Sequence, residues 1–168
     1  MYLHTCYTRA VLKVVAEQLD AWIIDQNVAS AAEGLPRHRP CTVRVLGQTA
    51  LLEARVALRL AATRDVDVRA DYDDGVRREF ERLLAAAGRE LDPVAHQIWM
   101  PRETRYLEFY EGKFVRLLLA EPAAVLVSKA LKAPQKNAPL ITEYLALGPT
   151  PRFLALAKKY EVDLEQFT

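Results

Sequence analysis

Between residues 41 and 68 the apolar pattern changes period twice, and few folds accommodate that order. Cys41-Thr-Val-Arg-Val-Leu46 is a β-branched run that stops at Gly47, which reads as a strand ended by a turn. From Gln48 to about Leu60 the chain is rich in Ala, Leu and Arg, all good helix formers, which predicts a helix. Thr63-Arg-Asp-Val-Asp-Val68 then alternates polar and apolar residues, the two-residue period of a half-buried strand. Strand, glycine, helix and acidic strand form the nucleus around which the remaining elements must be arranged.

Before this nucleus, Val11, Val14, Val15, Leu19, Trp22 and Ile23 follow helical spacing and predict an amphipathic helix over about 8–30, stopped before Gly34-Leu-Pro36. After it, Asp73 is a natural N-cap for a helix whose apolar positions are Val76, Phe80, Leu83, Leu84 and Ala87, with Gly88 suited to the left-handed C-terminal position. Ile98-Trp-Met100 is a short strand-like run. Residues 106–110 and 113–119 read as a hairpin turning at Glu111-Gly112. Pro122 opens a helix to about Lys132, and Pro134 and Pro139 break the chain before a helix of about 140–147. Thr150-Pro151 starts a final helix to about Tyr160, and Asp163 caps a last turn. Strands cluster in the middle and helices follow. The expected fold is α+β: one domain over 1–168, with a small mixed sheet core at 41–119 flanked by helices and a helical C-terminal part at 121–168.

Composition narrows the function classes. Among 168 residues, 23 Lys and Arg stand against 22 Asp and Glu, which argues against a protein that coats nucleic acid non-specifically. Cys6 and Cys41 form no CxxC, and His4, His38 and His96 lack zinc-ligand spacing. No apolar run reaches the roughly 18 residues of a membrane span, and Met1-Tyr-Leu-His lacks the build of a signal peptide. A reduced, cytoplasmic protein with no membrane partner is expected.

Asp65 and Asp67 carry the chemistry. Two apart on a strand, they project from one face with Cα atoms roughly 6.5–7 Å apart. Hard Mg²⁺ is bound by one or two carboxylates together with substrate phosphates, so this pair suits it. Gly47 would let backbone approach a phosphate closely. Lys129, Lys132 and Lys136 fall at i, i+3 and i+7, one helix face if the helix continues, and Pro134 interrupts it before Lys136. Asp71, Asp73 and Asp74 read as turn and cap residues, and Arg37-His-Arg39 reads as a solvated loop. Tyr106, Phe109, Tyr110 and Phe114 read as hairpin packing. Ser128 has no His-Asp partner pattern, so a hydrolase triad has no support.

On these residues, the stretch 43–69 resembles the nucleotidyltransferase core of the DNA polymerase β superfamily: a strand, Gly-Gly or Gly-Ser, a helix, then Asp-x-Asp on a strand. Within it, the chain is similar to AbiEii-type toxins and related bacterial proteins, on Thr63 two residues before the first Asp and on the later Ser128-Lys129 pair. The likeness extends over about 41–147. It implies Asp65 and Asp67 as catalytic Mg²⁺ ligands, Gly47, Gln48 and Thr63 at the triphosphate, and Lys129 offsetting its charge. Gln48 stands where the family has a second small residue, and Asn137 where relatives carry an acid. The family's third carboxylate sits on a later strand between apolar residues, where Val115-Arg-Leu-Leu118 offers Arg116. Glu108 on the partner strand is the substitute, expected opposite Val115, with Arg116 on the other face. Implied partners are a nucleoside triphosphate, an acceptor that is a tRNA, a protein or a small molecule, and an antitoxin-like protein. A degenerate binding module of the same fold, and a plain interaction protein, are the alternatives.

Overall fold

The computed structural model describes residues 7–168, with side chains from Val11 onward; His4 and Cys6 lie outside the described residues. Helix α1 (Tyr7–Glu33) buries Leu12, Val15, Ala16, Leu19 and Ile23 along one stripe and ends where Gly34 takes a φ of 69°. Strand β1 (Cys41–Val45) alternates buried and half-buried residues, as its period requires. A four-stranded sheet forms in the order β3 (Val68–Ala70), β1, β6 (Val115–Ala120), β5 (Tyr106–Glu111). β1 and β6 run parallel, and the outer pairings are antiparallel. A second, two-stranded parallel sheet joins β2 (Asp65–Val66) to β4 (Glu90–Leu91) across helix α3 (Asp74–Ala86). Helices α4 (Pro122–Lys132), α5 (Pro134–Ala146) and α6 (Pro151–Lys159) follow. One apolar cluster runs from Leu12 through β1, β6 and α4 to Phe153 and Phe167. The protein is thus mixed α+β, with six α-helices and a small mixed sheet among the described residues. Among the described residues, no helix is long and apolar enough to cross a membrane.

Several expectations are corrected. The helix predicted over 48–60 is only α2 (Gly47–Glu53), because Arg55 takes a φ of 56° and the chain turns away. Beyond it Val56, Leu58 and Leu60 are half-buried while Arg55, Ala57 and Arg59 are exposed, a two-residue alternation that overrides the helix propensity of the same residues. Ile98-Trp-Met100 is no strand; its carbonyls bond to side chains, Ile98 accepting from Arg69 and Trp99 from Ser128. Helix α5 begins at Pro134, a favoured first position, and runs through Pro139. Burial of Ile141 and the hydrogen bonds from Asn137 Nδ2 to the carbonyls of Ala133 and Lys129 hold that turn in place.

The hairpin register also differs. Glu111 pairs with Arg116, so the turn lies at Lys113-Phe114 and not at Glu111-Gly112. Asp20 on α1, only 7% exposed, accepts the backbone N–H groups of Lys113 (3.1 Å), Phe114 (2.6 Å) and Val115 (2.8 Å) and so dictates where the chain reverses. A side chain at Gly112 would overlap the Asp20 carboxylate. A bulge at Phe109 then sets Glu108 opposite Leu118, not Val115.

Candidate functional site

The acidic strand is broken at its centre. Asp65 and Val66 belong to the two-stranded sheet, Val68 begins β3 of the larger one, and Asp67 is the hinge between them. The Asp67 carbonyl accepts the N–H of Leu46 at 2.8 Å, which ties this hinge to the end of β1. Gly47 comes next, with a φ of 59°, and a side-chain carbon there would overlap the Asp67 carboxylate. Glycine is needed at position 47 both for its backbone conformation and to let Asp67 lie against it.

A carboxylate that sequence reasoning missed completes the cluster. Because β2 and β4 are parallel and in register, Asp65 beside Glu90 and Val66 beside Leu91, the next residue of each chain, Asp67 and Asp92, emerge side by side. The N–H of Asp92 donates to the carbonyl of Val66 at 3.2 Å, carrying the pairing one step beyond the strands. The two carboxyl groups lie within hydrogen-bonding reach of one another. Burial first, then Asp92, pushes the Asp67 carboxyl up to about 6, with Lys129 opposing the shift and Asp65 adding to it. Lys129, on α4, is itself held below the usual lysine range by burial and by Lys136, while Asp67 pulls it back.

Asp65 is exposed at the rim. Its carbonyl accepts the Thr49 hydroxyl at 2.9 Å, and its N–H donates to Thr63 Oγ1 at 3.2 Å. Thr63 thus shapes the approach of the chain to Asp65. Gln48 Nε2 donates to the carbonyl of Ala61 at 2.9 Å and clasps the segment after α2 against the head of that helix. Ser128 Oγ, beside Lys129, bonds to the carbonyl of Trp99.

Two cavities meet at this cluster. One, of about 1110 Å³, opens between α5 and residues 59–63, and carries Asp65, Gln48 and Thr63 on its wall. The other, of about 530 Å³, runs between α4 and Trp99, and Gly47 lies on its wall. Asp67, Asp92, Lys129, Lys136 and Asn137 are common to both.

Glu108 is not brought to the cluster. It is exposed on β5, the far edge of the sheet from β3, and pairs with Arg116 at 3.1 Å. The corrected register puts these two on one face, where each neutralises the other. The signal that could have found Asp92 was the strand–helix–strand order itself. Parallel strands joined by a crossover helix end on the same side, which would have brought the acid after Leu91 to the same end as the acid after Val66, although only the register sets them side by side.

Among the described residues, no group of three or more His, Cys, Asp or Glu side chains is gathered tightly enough to hold a metal ion unaided. The donor set nevertheless fits Mg²⁺ delivered with phosphates, since that ion needs only one or two protein carboxylates. Asp67 and Asp92, side by side where β2 and β4 end, are such a pair. Compared with known proteins, the chain matches no family model, no curated protein and no solved structure.

Proposed function

We propose that the chain is a metal-dependent nucleotidyltransferase of the DNA polymerase β type, similar to the AbiEii-type toxins, with its small sheet arranged as in that superfamily. One observation carries the reading: a glycine at the end of β1, an Asp-x-Asp segment, a third aspartate from the neighbouring parallel strand and a lysine from α4 converge where two cavities meet. Asp67 and Asp92 hold Mg²⁺, with Asp65 at the rim, and the ion supplies charge neutralisation at the transferring phosphoryl group. Lys129 offsets further phosphate charge. An acceptor hydroxyl, on RNA, protein or a small molecule, bonds to the α-phosphorus; the bond to the β-phosphate's bridging oxygen breaks, and pyrophosphate leaves. The hydroxyl proton passes to a carboxylate of the cluster.

The experiment is incubation with each labelled nucleoside triphosphate, Mg²⁺ and a pool of RNA or protein acceptors. Label transfer is expected, and Asp92→Asn should lower it at least about a hundredfold, as loss of a ligand to a catalytic metal does. Transfer that survives Asp92→Asn unchanged overturns the assignment. A second reading, a nucleotide-binding module without turnover, is favoured by the Asp67–Asp92 contact, which spends on each other the oxygens a metal would use. Thermal stabilisation by a triphosphate with Mg²⁺, without label transfer to any acceptor, selects it. At a ligand concentration 100 times Kd that stabilisation is about 2.7 kcal/mol.

A further inference from the structure

The two cavities differ in a way that divides the substrates between them. The larger is lined by Arg59, Lys129 and Lys136 against four carboxylates, those of Asp65, Asp67, Asp92 and Glu143. Glu143 also accepts the Arg59 N–H, and the Arg59 guanidinium, 4.0 Å from that carboxylate, is 96% exposed and points to solvent more than to the cavity. The smaller cavity sets Lys129, Lys132 and Lys136 against Asp67 and Asp92 alone, and adds the indole of Trp99. Its volume of about 530 Å³ lies within the roughly 300–1,000 Å³ usual for small-molecule sites. A triphosphate, with about four negative charges, favours the lysine-rich cavity over one whose carboxylates outnumber its cations.

We propose that the smaller cavity is the nucleoside triphosphate site, with Trp99 as the platform on which the base stacks, and that the larger cavity receives the acceptor. This rests on the nucleotidyltransferase reading and assigns its substrates to places. Trp99 is prepared for the role. Tyr160 packs edge-on at 5.0 Å between ring centroids, and Ser128 donates to the Trp99 carbonyl, so both the ring and its backbone are held. The Lys132 ammonium lies 5.2 Å from the centroid of the indole. Lys132 is exposed, and it occupies the place of a stacked base; when the base arrives, the ammonium moves to the phosphates.

The same loop sets specificity. The carbonyls of Ile98 and Trp99 are engaged by Arg69 and Ser128, and Gln97 is a further polar residue on the cavity wall. Stacking on an aromatic platform tolerates every base, because each has a π-face. The site therefore selects nucleoside triphosphates as a class and discriminates weakly among the four.

Intrinsic fluorescence tests this directly, since the only other tryptophan, Trp22, stacks at 5.2 Å on His38 far along α1 and can be replaced. In a Trp22→Phe background, ATP, GTP, CTP and UTP with Mg²⁺ should each quench Trp99 saturably, with Kd values within about tenfold of one another. Inorganic tripolyphosphate should compete without quenching. Trp99→Leu should raise KM about ten- to hundredfold for all four while kcat changes little, and Trp99→Phe should recover most of the loss. Quenching without label transfer keeps the base platform and defeats the transferase reading. Transfer with an unchanged KM in Trp99→Leu and no quenching keeps the transferase and overturns the platform. Neither quenching nor transfer defeats both.

Discussion

Asp20 and Asp67 are both withdrawn from solvent, and their surroundings are opposites. Asp20 receives three backbone N–H groups from the hairpin turn. Asp67 faces another carboxylate, lies against a glycine that leaves no room for a side chain, and has a single lysine to offset its charge. The first arrangement stabilises a turn. The second raises the free energy of the native state, and such unfavourable clusters persist where a ligand relieves them. The contrast separates a structural buried acid from a candidate functional one more sharply than burial does.

Removing Asp20 should have the largest effect on the fold. Asp20→Ala strands three turn donors in a buried setting, each worth about 1 kcal/mol or more, so a loss of about 3 kcal/mol is expected in chemical denaturation. A loss below about 1 kcal/mol would mean that the turn finds other acceptors and that Asp20 is not what places it.

Asp67→Asn should act in the opposite direction. The folded-state pKa of Asp67 is raised from 3.8 to about 6, so between those values the native state binds more protons than the unfolded chain. Stability contributed by this group is therefore greatest below pH 4, falls as pH rises towards 6, and is level above that. The variant lacks this decline. Relative to the parent it should gain about 1–2 kcal/mol between pH 4 and pH 7 without metal, after discounting for partial exposure. Parallel stability–pH curves for the two proteins would remove the distinction between Asp67 and Asp20.

Glu108→Gln should change least. The Glu108–Arg116 pair is about half-exposed on both sides, so its loss should shift stability by less than about 0.5 kcal/mol. Label transfer should stay within twofold of the parent protein. A large fall in transfer would return Glu108 to the site and put Asp92 in doubt.

Much of the architecture was legible in residue order. The stripes of α1 and α3, the Asp73 cap that accepts the Val76 N–H at 2.9 Å, and the Thr150-Pro151 start of α6 all follow from local spacing and capping chemistry. The alternation at residues 55–61 is equally present, though its residues are also good helix formers and their propensity masks it. Asp65 and Asp67 stood out because their spacing is local. Asp92 did not, because a two-residue strand leaves no periodic signature and its meaning depends on a partner 25 positions away.

The sequence alone determined the long, strongly periodic or capped elements, α1, β1, α3 and α6, and the apolar stripes of α1 and α3, since those properties repeat every two or every three to four residues. The turn at Lys113-Phe114, the separation of Glu108 from the acidic cluster and the meeting of Asp67 with Asp92 were decided only by the tertiary structure. Each depends on a contact between distant segments: Asp20 with Phe114, β5 with β6, and β2 with β4. Hydrogen-bond partners and strand register are properties of two segments at once, and no pattern within either one specifies them.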